Sequence, residues 1–515
     1  MSMIITMQLY HLKNKHLEFS VFISGAVIMV LELVGLRILA PYVGTSIVVW
    51  TSLIGIILAS LSIGYYWGGK RADVQTSYKE FATIIFFTGV LVAAAALLKA
   101  ILLTFLTALI SDIRISAMLG SIILFAPAST LLGMISPYAV KLRIHDVEHA
   151  GTTVGTLYAL STIGSIVGTF VTGFFLIAYF DNTNIMYMLA IVLLLTSILL
   201  YHRSFPWKQI ILLLVIFLCM GFVASSQSFG RQTGSIDEDT QYQHVQIFTT
   251  KHPENGRKMR VLTTDAAGTQ SGAYLDSDEL PFEYSKLFHI AIHFQPDLSR
   301  ALMIGGGAYS YPRAFLKKFP NASIDVIELD PKLTELARMY FDLRDDPRLH
   351  IFHEDGRMFI NHMKGTYDAV YIDAFHSLSP PFQLTTKEVA KKLFDHLSDN
   401  GVVLMNLVSA VEGPGSEFMH AEYATYKSIF PTVEIFPILT PETPNNISNI
   451  VLLAYKSEKP VVWKSDDAEI QGYLQKRWSK KVNDDIPILT DEHSPVEQYL
   501  FGVYREVFKF NTKIL

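Results

Sequence analysis

Seven apolar runs, each close to the ~20 helical residues that cross a hydrocarbon core, crowd into the first 229 residues of a 515-residue chain. They lie near 18–40, 46–67, 81–107, 115–139, 153–180, 184–201 and 208–226. In lipid every backbone polar group needs an internal partner, so such runs fold as helices. The first half is therefore expected to be an integral membrane domain of about seven helices (1–229). The third run is the least certain single pass, because it is long and contains Lys99. Glycines recur in these runs, as at Gly155, Gly164, Gly168 and Gly173. Small residues let helix backbones approach closely.

Charge marks the boundary between two halves. Residues 1–229 hold 20 charged side chains and residues 230–515 hold 69. That step excludes a single soluble domain and a disordered chain. The one cysteine, Cys219, excludes an intrachain disulfide. The net charge is −5, with the excess of acid in the second half, which argues against a nucleic-acid partner.

Lys and Arg in the connections set orientation. Lys13, Lys15, Lys70, Arg71, Lys79, Lys141, Arg143, Arg203 and Lys208 lie on one side, and only Arg114 on the other. The amino terminus is expected in the cytoplasm. Seven spans would put the second half outside the cytoplasm, and any even count would reverse that. Glu32 and Arg37 fall within the first span. Intramembrane charges need partners, and the simplest expectation is that these two satisfy each other or neighbouring helices.

The second half reads differently. Tyr242–Phe248 and Met259–Thr264 alternate like a β-hairpin. They form a lid that, with the helical stretch Pro281–Phe294, makes up residues 230–295. From 296 to the end, short apolar strands alternate with helices: Ala301–Ile304, Ser323–Glu328, Leu349–Phe352, Ala369–Asp373 and Val402–Leu407 are the expected strands. That alternation predicts a parallel, Rossmann-like α/β sheet covered on both faces.

Ligands of such sheets sit beyond the carboxyl ends of the strands. The first strand is followed by Gly305, Gly306 and Gly307, the second ends at Glu328, the third precedes Asp355-Gly356, and the fourth ends at Asp373. Bare glycine backbone admits a ligand, an acid at 328 suits ribose hydroxyls, and an acid at 355 suits an adenine amine. Each also has a plainer reading: a tight turn, a surface carboxylate, a helix N-cap and a loop cap. Ser310 stands where a third glycine would complete a dinucleotide fingerprint, and no cationic phosphate clamp follows. Both points favour an S-adenosyl compound over NAD.

The stretches ALMIGGGAYSYPRAFLKKFP, ASIDVIELDP, DPRLHIFHEDGRMFI and YDAVYIDAFHSLSPPFQLTT resemble the spermidine synthase family. ELVGLRILAPYVGTSIVVW and IGYYWGGKRAD look like the membrane module of its membrane-fused branch. The resemblance implies aminopropyl transfer from decarboxylated S-adenosylmethionine, a co-substrate and not a tightly bound cofactor, to a polyamine or related amine. It implies no metal. By position, Asp373 would be the catalytic base. Gly305, Gly306, Gly307, Glu328, Asp355, Gly356 and Gln270 would hold the nucleoside, and Gln243, Asp278 and His376 would face the amine. The chain departs from the family at Ala308 and His376, where carboxylates are expected, and at Phe282, where a lid tyrosine is expected. Those departures keep two other readings open: a methyltransferase using ordinary S-adenosylmethionine, and a non-catalytic transporter or sensor that binds a nucleoside or polyamine. The expected partners are a small amine and the lipid bilayer. A homo-oligomer is compatible with the sequence.

Overall fold

The computed structural model describes residues 2–44, 46–110, 112–144, 150–201, 211, 215, 218, 235–264, 269–375, 379–439 and 442–511. The chain divides into two compact units, one running to Thr233 and taking in Asp237–His244, the other formed by the remainder.

Among the described residues of the first unit, five helices are long and apolar enough to cross a membrane. They are α1 (its apolar part Asn14–Val43), α2 (Ile47–Val74), α3 (Tyr78–Leu109), α6 (Ala150–Tyr179) and α7 (Asn182–Leu200). Between them, α4 (Ile113–Leu124) and α5 (Ala126–Arg143) are bent by 52° at Phe125 and together could make a sixth crossing. Pro127 in the first turn of α5 explains the break, since proline cannot continue the hydrogen-bond ladder of the helix before it. The third run is one unbroken helix, so it counts as a single crossing. The expected seventh run, 208–226, lies outside the described residues apart from three isolated positions.

Two of the four singled-out glycines do bring backbones together. A Cβ at Gly164 would sit 2.0 Å from the Phe22 carbonyl oxygen, and one at Gly168 would sit 2.5 Å from that of Ala26. Gly155 and Gly173 face open space instead. Arg37 does not pair with Glu32. Its guanidinium donates to the carbonyl oxygens of Thr240 and of Gln241, the latter at 2.6 Å.

Over residues 236–274 the lid is larger than a hairpin. Strands β1 (Ile236–Asp239), β2 (His244–Lys251), β3 (Lys258–Thr264) and β4 (Thr269–Tyr274) form one four-stranded sheet in that order. The stretch 281–294 is not one helix but three short turns, Glu283–Leu287, Phe288–Ile290 and Ala291–Phe294.

The main sheet has seven strands in the order β10-β11-β9-β8-β5-β6-β7. These are β5 (Arg300–Ile304), β6 (Ser323–Ile327), β7 (Leu349–Phe352), β8 (Tyr367–Ile372), β9 (Leu397–Ser409), β10 (Thr432–Pro437) and β11 (Ser448–Tyr455). The first five are parallel to one another, whereas β11 runs antiparallel to β9 and β10 antiparallel to β11. The sheet is therefore mixed, not parallel throughout. The β10–β11 link carries no helix, so that pair closes as an antiparallel connection. Ala301, Met303, Tyr371 and Leu404 pack in one core cluster with Phe288, Tyr311 and Phe315. That cluster rigidly holds the ends of β5, β8 and β9.

Candidate active site

Register decides which strand ends meet. Ile304 on β5 pairs with Ile327 on β6 and with Ile372 on β8, and Ile327 pairs with Phe352 on β7. The next residues, Gly305, Glu328, His353 and Asp373, therefore line one edge of the sheet. The Gly305 N–H donates to the Ile327 carbonyl at 2.8 Å, and the Asp373 N–H donates to that of Ile304 at 2.9 Å. Gly305 has φ +96°, and a Cβ there would lie 2.3 Å from the Asp373 carbonyl oxygen. Only glycine lets β5 turn away while β8 ends so close to it.

Glu328 is buried beneath the glycine turn. Its Oε2 accepts from the N–H groups of Gly306 at 2.9 Å and Gly307 at 3.1 Å, and its Oε1 accepts from the Asp330 N–H at 3.0 Å. Burial raises its pKa, and the three backbone donors oppose that shift. The Ala308 N–H is also engaged, with Ser271 Oγ at 3.2 Å. The backbone donors that would cradle a pyrophosphate are thus consumed by the protein's own carboxylate and serine. A phosphate placed there would meet a negative charge. Glu328 Oε1 accepts that one hydrogen bond, from the Asp330 N–H, among the described residues.

Asp355 serves as the N-cap of helix Gly356–His362: its Oδ1 accepts from the Met358 N–H at 3.0 Å. The cap uses one oxygen, so capping by itself does not exclude a ligand at the other. A Cβ on Gly356 would come within 2.7 Å of Ile304 Cγ2, which is why that turn packs tightly on the end of β5.

Asp373, the residue after β8, carries two side-chain hydrogen bonds. Asn406 on β9 donates from Nδ2 to its Oδ1 at 2.9 Å, and the Tyr284 hydroxyl donates to its Oδ2 at 3.2 Å. Asn449 on β11 donates in turn to Asn406 Oδ1 at 3.0 Å, which fixes the Asn406 amide orientation. Burial pushes the Asp373 pKa up to about 6, although both hydrogen bonds act to lower it. Burial and the neighbouring Asp373 charge hold the Tyr284 phenol well above its ordinary value.

The other end of the sheet behaves differently. Asp368, at the start of β8, accepts from the Ser299 N–H at 2.9 Å, Ser398 Oγ at 2.8 Å and Gln295 Nε2 at 3.0 Å. Burial alone would raise its pKa, but these donors outweigh it and the carboxyl is held low. A fully satisfied carboxylate is structural; Asp373, with fewer donors and a raised pKa, has the signature of a site.

The remaining expected residues divide. Gln270 is the extra residue of a bulge in β4, opposite the step from Leu262 to Thr263. The adjacent Ser271 meets the glycine turn. Gln243 sits in the turn between β1 and β2, where its carbonyl accepts from the Thr240 N–H at 2.8 Å. Among the described residues, no hydrogen bond or ion pair links Asp278 to the strand-end row. Its two oxygens pair with Arg313 at 2.9 Å and Lys317 at 3.2 Å on an exposed surface. His376 lies outside the described residues. Ala308 is fully buried in an apolar cluster with Val245, Ile247 and Leu262 of the lid. Phe282 stacks on Tyr284 with ring centroids 6.2 Å apart.

Residues 281–462 match the spermine/spermidine synthase domain. A polyamine aminopropyltransferase of Vibrio vulnificus (strain CMCP6) is 26% identical over 305 residues, covering 55% of this chain and 97% of its own. A probable polyamine aminopropyl transferase of Bifidobacterium longum (strain NCC 2705) is 26% identical over 325 residues, covering 58% of this chain and 70% of its own. The crystal structure of a probable spermidine synthase from Corynebacterium glutamicum aligns at 22% identity with a TM-score of 0.38, covering 50% of this chain and 91% of that one. The second half of the chain is thus homologous to polyamine aminopropyltransferases.

Proposed function

We propose that the chain is a membrane-anchored aminopropyltransferase, which takes the aminopropyl group of decarboxylated S-adenosylmethionine and gives it to a polyamine such as putrescine or to a related amine. The observation that carries this reading is the row of strand ends. It joins an adenosyl-type cradle (Gly305–Gly307, Glu328, Asp355) to one carboxylate of raised pKa, Asp373. The homology to polyamine aminopropyltransferases supports it.

The chemistry asks little else of the protein. The acceptor arrives as an ammonium, whose lone pair is occupied by a proton. Asp373 binds the cation and accepts that proton. The freed nitrogen attacks the aminopropyl carbon bonded to the sulfonium. A C–N bond forms and the C–S bond breaks. Its electron pair goes to sulfur, which leaves as the neutral thioether of methylthioadenosine, so no acid is needed on that side. What remains is alignment, which is a large effect in itself. Asn406 and Tyr284 fix the Asp373 carboxylate in one orientation. Glu328 and Asp355 would hold the ribose and the adenine amine. By the family resemblance, Gln270 would belong to the nucleoside side and His376 to the amine side.

The helices α1–α7 anchor the enzyme in the bilayer, with the amino terminus on the cytoplasmic side by the asymmetry of Lys and Arg.

Product analysis tests this reading against methyl transfer. Purified full-length protein given putrescine and decarboxylated S-adenosylmethionine should release methylthioadenosine and spermidine in equal amounts. Release of S-adenosylhomocysteine from ordinary S-adenosylmethionine, with no reaction of the decarboxylated compound, would overturn it. Binding of either compound without turnover would favour a sensor or transporter.

A further inference from the structure

We propose that an open groove between α2, α3 and α5 binds an anionic phospholipid, with the headgroup phosphate at Lys70 and Arg71 and an acyl chain along the groove. This inference takes the helices as membrane-spanning and is independent of the transfer chemistry. The groove encloses about 750 Å³. Its walls are apolar, formed by Phe87, Val90, Leu91, Leu131 and Met134. Trp67 and Phe87 face outward, 56% and 52% exposed, as side chains against lipid do. Trp67 lies one turn from the basic end of α2, where an amphipathic ring suits the headgroup level.

Charge selects the headgroup. Lys70, Arg71 and Glu80 are the charged residues of the lining, which leaves one net positive charge. Arg71 reaches Glu80 Oε1 at 2.5 Å with both Nε and Nη2, and its side chain remains 60% exposed. Lys70 has no ion pair among the described residues; its ammonium lies 4.7 Å from the centre of the Tyr66 ring. At this end of the bundle Lys141 pairs with Asp73 at 2.8 Å and Arg143 with Glu18 at 3.1 Å. An unpaired ammonium above an apolar trough matches a phosphodiester carried on an acyl chain. Basic pockets between membrane helices are suited to anionic headgroups.

Quenching of Trp67 by lipids with brominated acyl chains tests the proposal, the Trp67 signal being the difference between the full-length protein and its Trp67→Phe variant in mixed micelles. Brominated phosphatidylglycerol should quench at several-fold lower mole fraction than brominated phosphatidylcholine. Lys70→Gln should weaken the phosphatidylglycerol response about fivefold and leave the phosphatidylcholine response unchanged. Val90→Trp, which fills the trough, should weaken both relative to a Val90→Trp/Trp67→Phe reference. Inorganic phosphate should not relieve the quenching. Equal responses to the two lipids, an intact preference in Lys70→Gln, or displacement by inorganic phosphate would overturn the proposal. Thermal unfolding of each variant confirms that it is folded.

Discussion

Asn406 Nδ2 donates to Asp373 Oδ1 at 2.9 Å, across from β9 to the end of β8. This bond stabilises the ionised carboxylate and restrains a pKa that burial has raised to about 6. In the proposed mechanism the base works ionised, so kcat/KM should fall on the acid side with a limb near pH 6. Asn406→Leu cannot donate, and its limb should move to higher pH. A limb that stays in place when Asn406 is replaced would show that the bond does not tune the base.

The same shift has a stability consequence of opposite sign to that of an ordinary ion-paired carboxylate. A folded-state pKa of about 6 stands above the ordinary aspartate value of 3.8, so the folded protein binds the extra proton. The stabilisation is present below pH 3.8 and is lost as pH rises through 6. Asp373→Asn should therefore be more stable than the parent at pH 7 by about 1–3 kcal/mol, read as a higher unfolding temperature, and the gap should close towards pH 4. Thermal scans at the two pH values read this directly.

Glu328 joins the two faces of the glycine turn. In Glu328→Gln a neutral amide replaces the acceptor shared by the Gly306 and Gly307 N–H groups. Hydrogen bonds to a charged group contribute about 1.5–3 kcal/mol, so methylthioadenosine should bind about 10–100-fold more weakly by calorimetry. The acid limb of the pH profile should not move. Unchanged affinity would separate Glu328 from the nucleoside.

At Asp355 two substitutions separate two roles. Asp355→Asn keeps an oxygen for the Met358 N–H and should fold normally. It loses the charged acceptor, and nucleoside affinity should drop about tenfold or more. Asp355→Ala loses the cap as well and should cost about 1 kcal/mol of stability. If Asn binds like the parent, Asp355 is a cap only.

Much of this site can be read in the chain because strand ends are marked by composition. An apolar run that stops at glycine or acid locates Gly305, Glu328 and Asp373 without a structure, since parallel strands deliver their carboxyl ends to one edge. The groups that orient Asp373 are not marked in this way. Asn406 interrupts the apolar run Val402–Leu407, and a buried amide there signals a partner, but the partner is fixed only by the pairing of β8 with β9. Tyr284 arrives from a different part of the chain, on a segment whose helical period conceals three short turns. The use of Gly306 and Gly307 as donors to Glu328 is likewise a matter of backbone direction, which spacing does not encode. The antiparallel β10 and β11 follow from tertiary pairing beyond the alternating region. The larger lid arises because β1 and β4 are too short and polar to stand out.

The most direct measurement is a single-turnover assay of full-length parent and Asp373→Asn with decarboxylated S-adenosylmethionine and putrescine, beside methylthioadenosine binding to each. A positioned base typically contributes 10²–10⁴-fold, so the transfer rate should fall by about that factor while methylthioadenosine affinity is retained. Equal transfer rates in the two proteins would contradict the account at its centre.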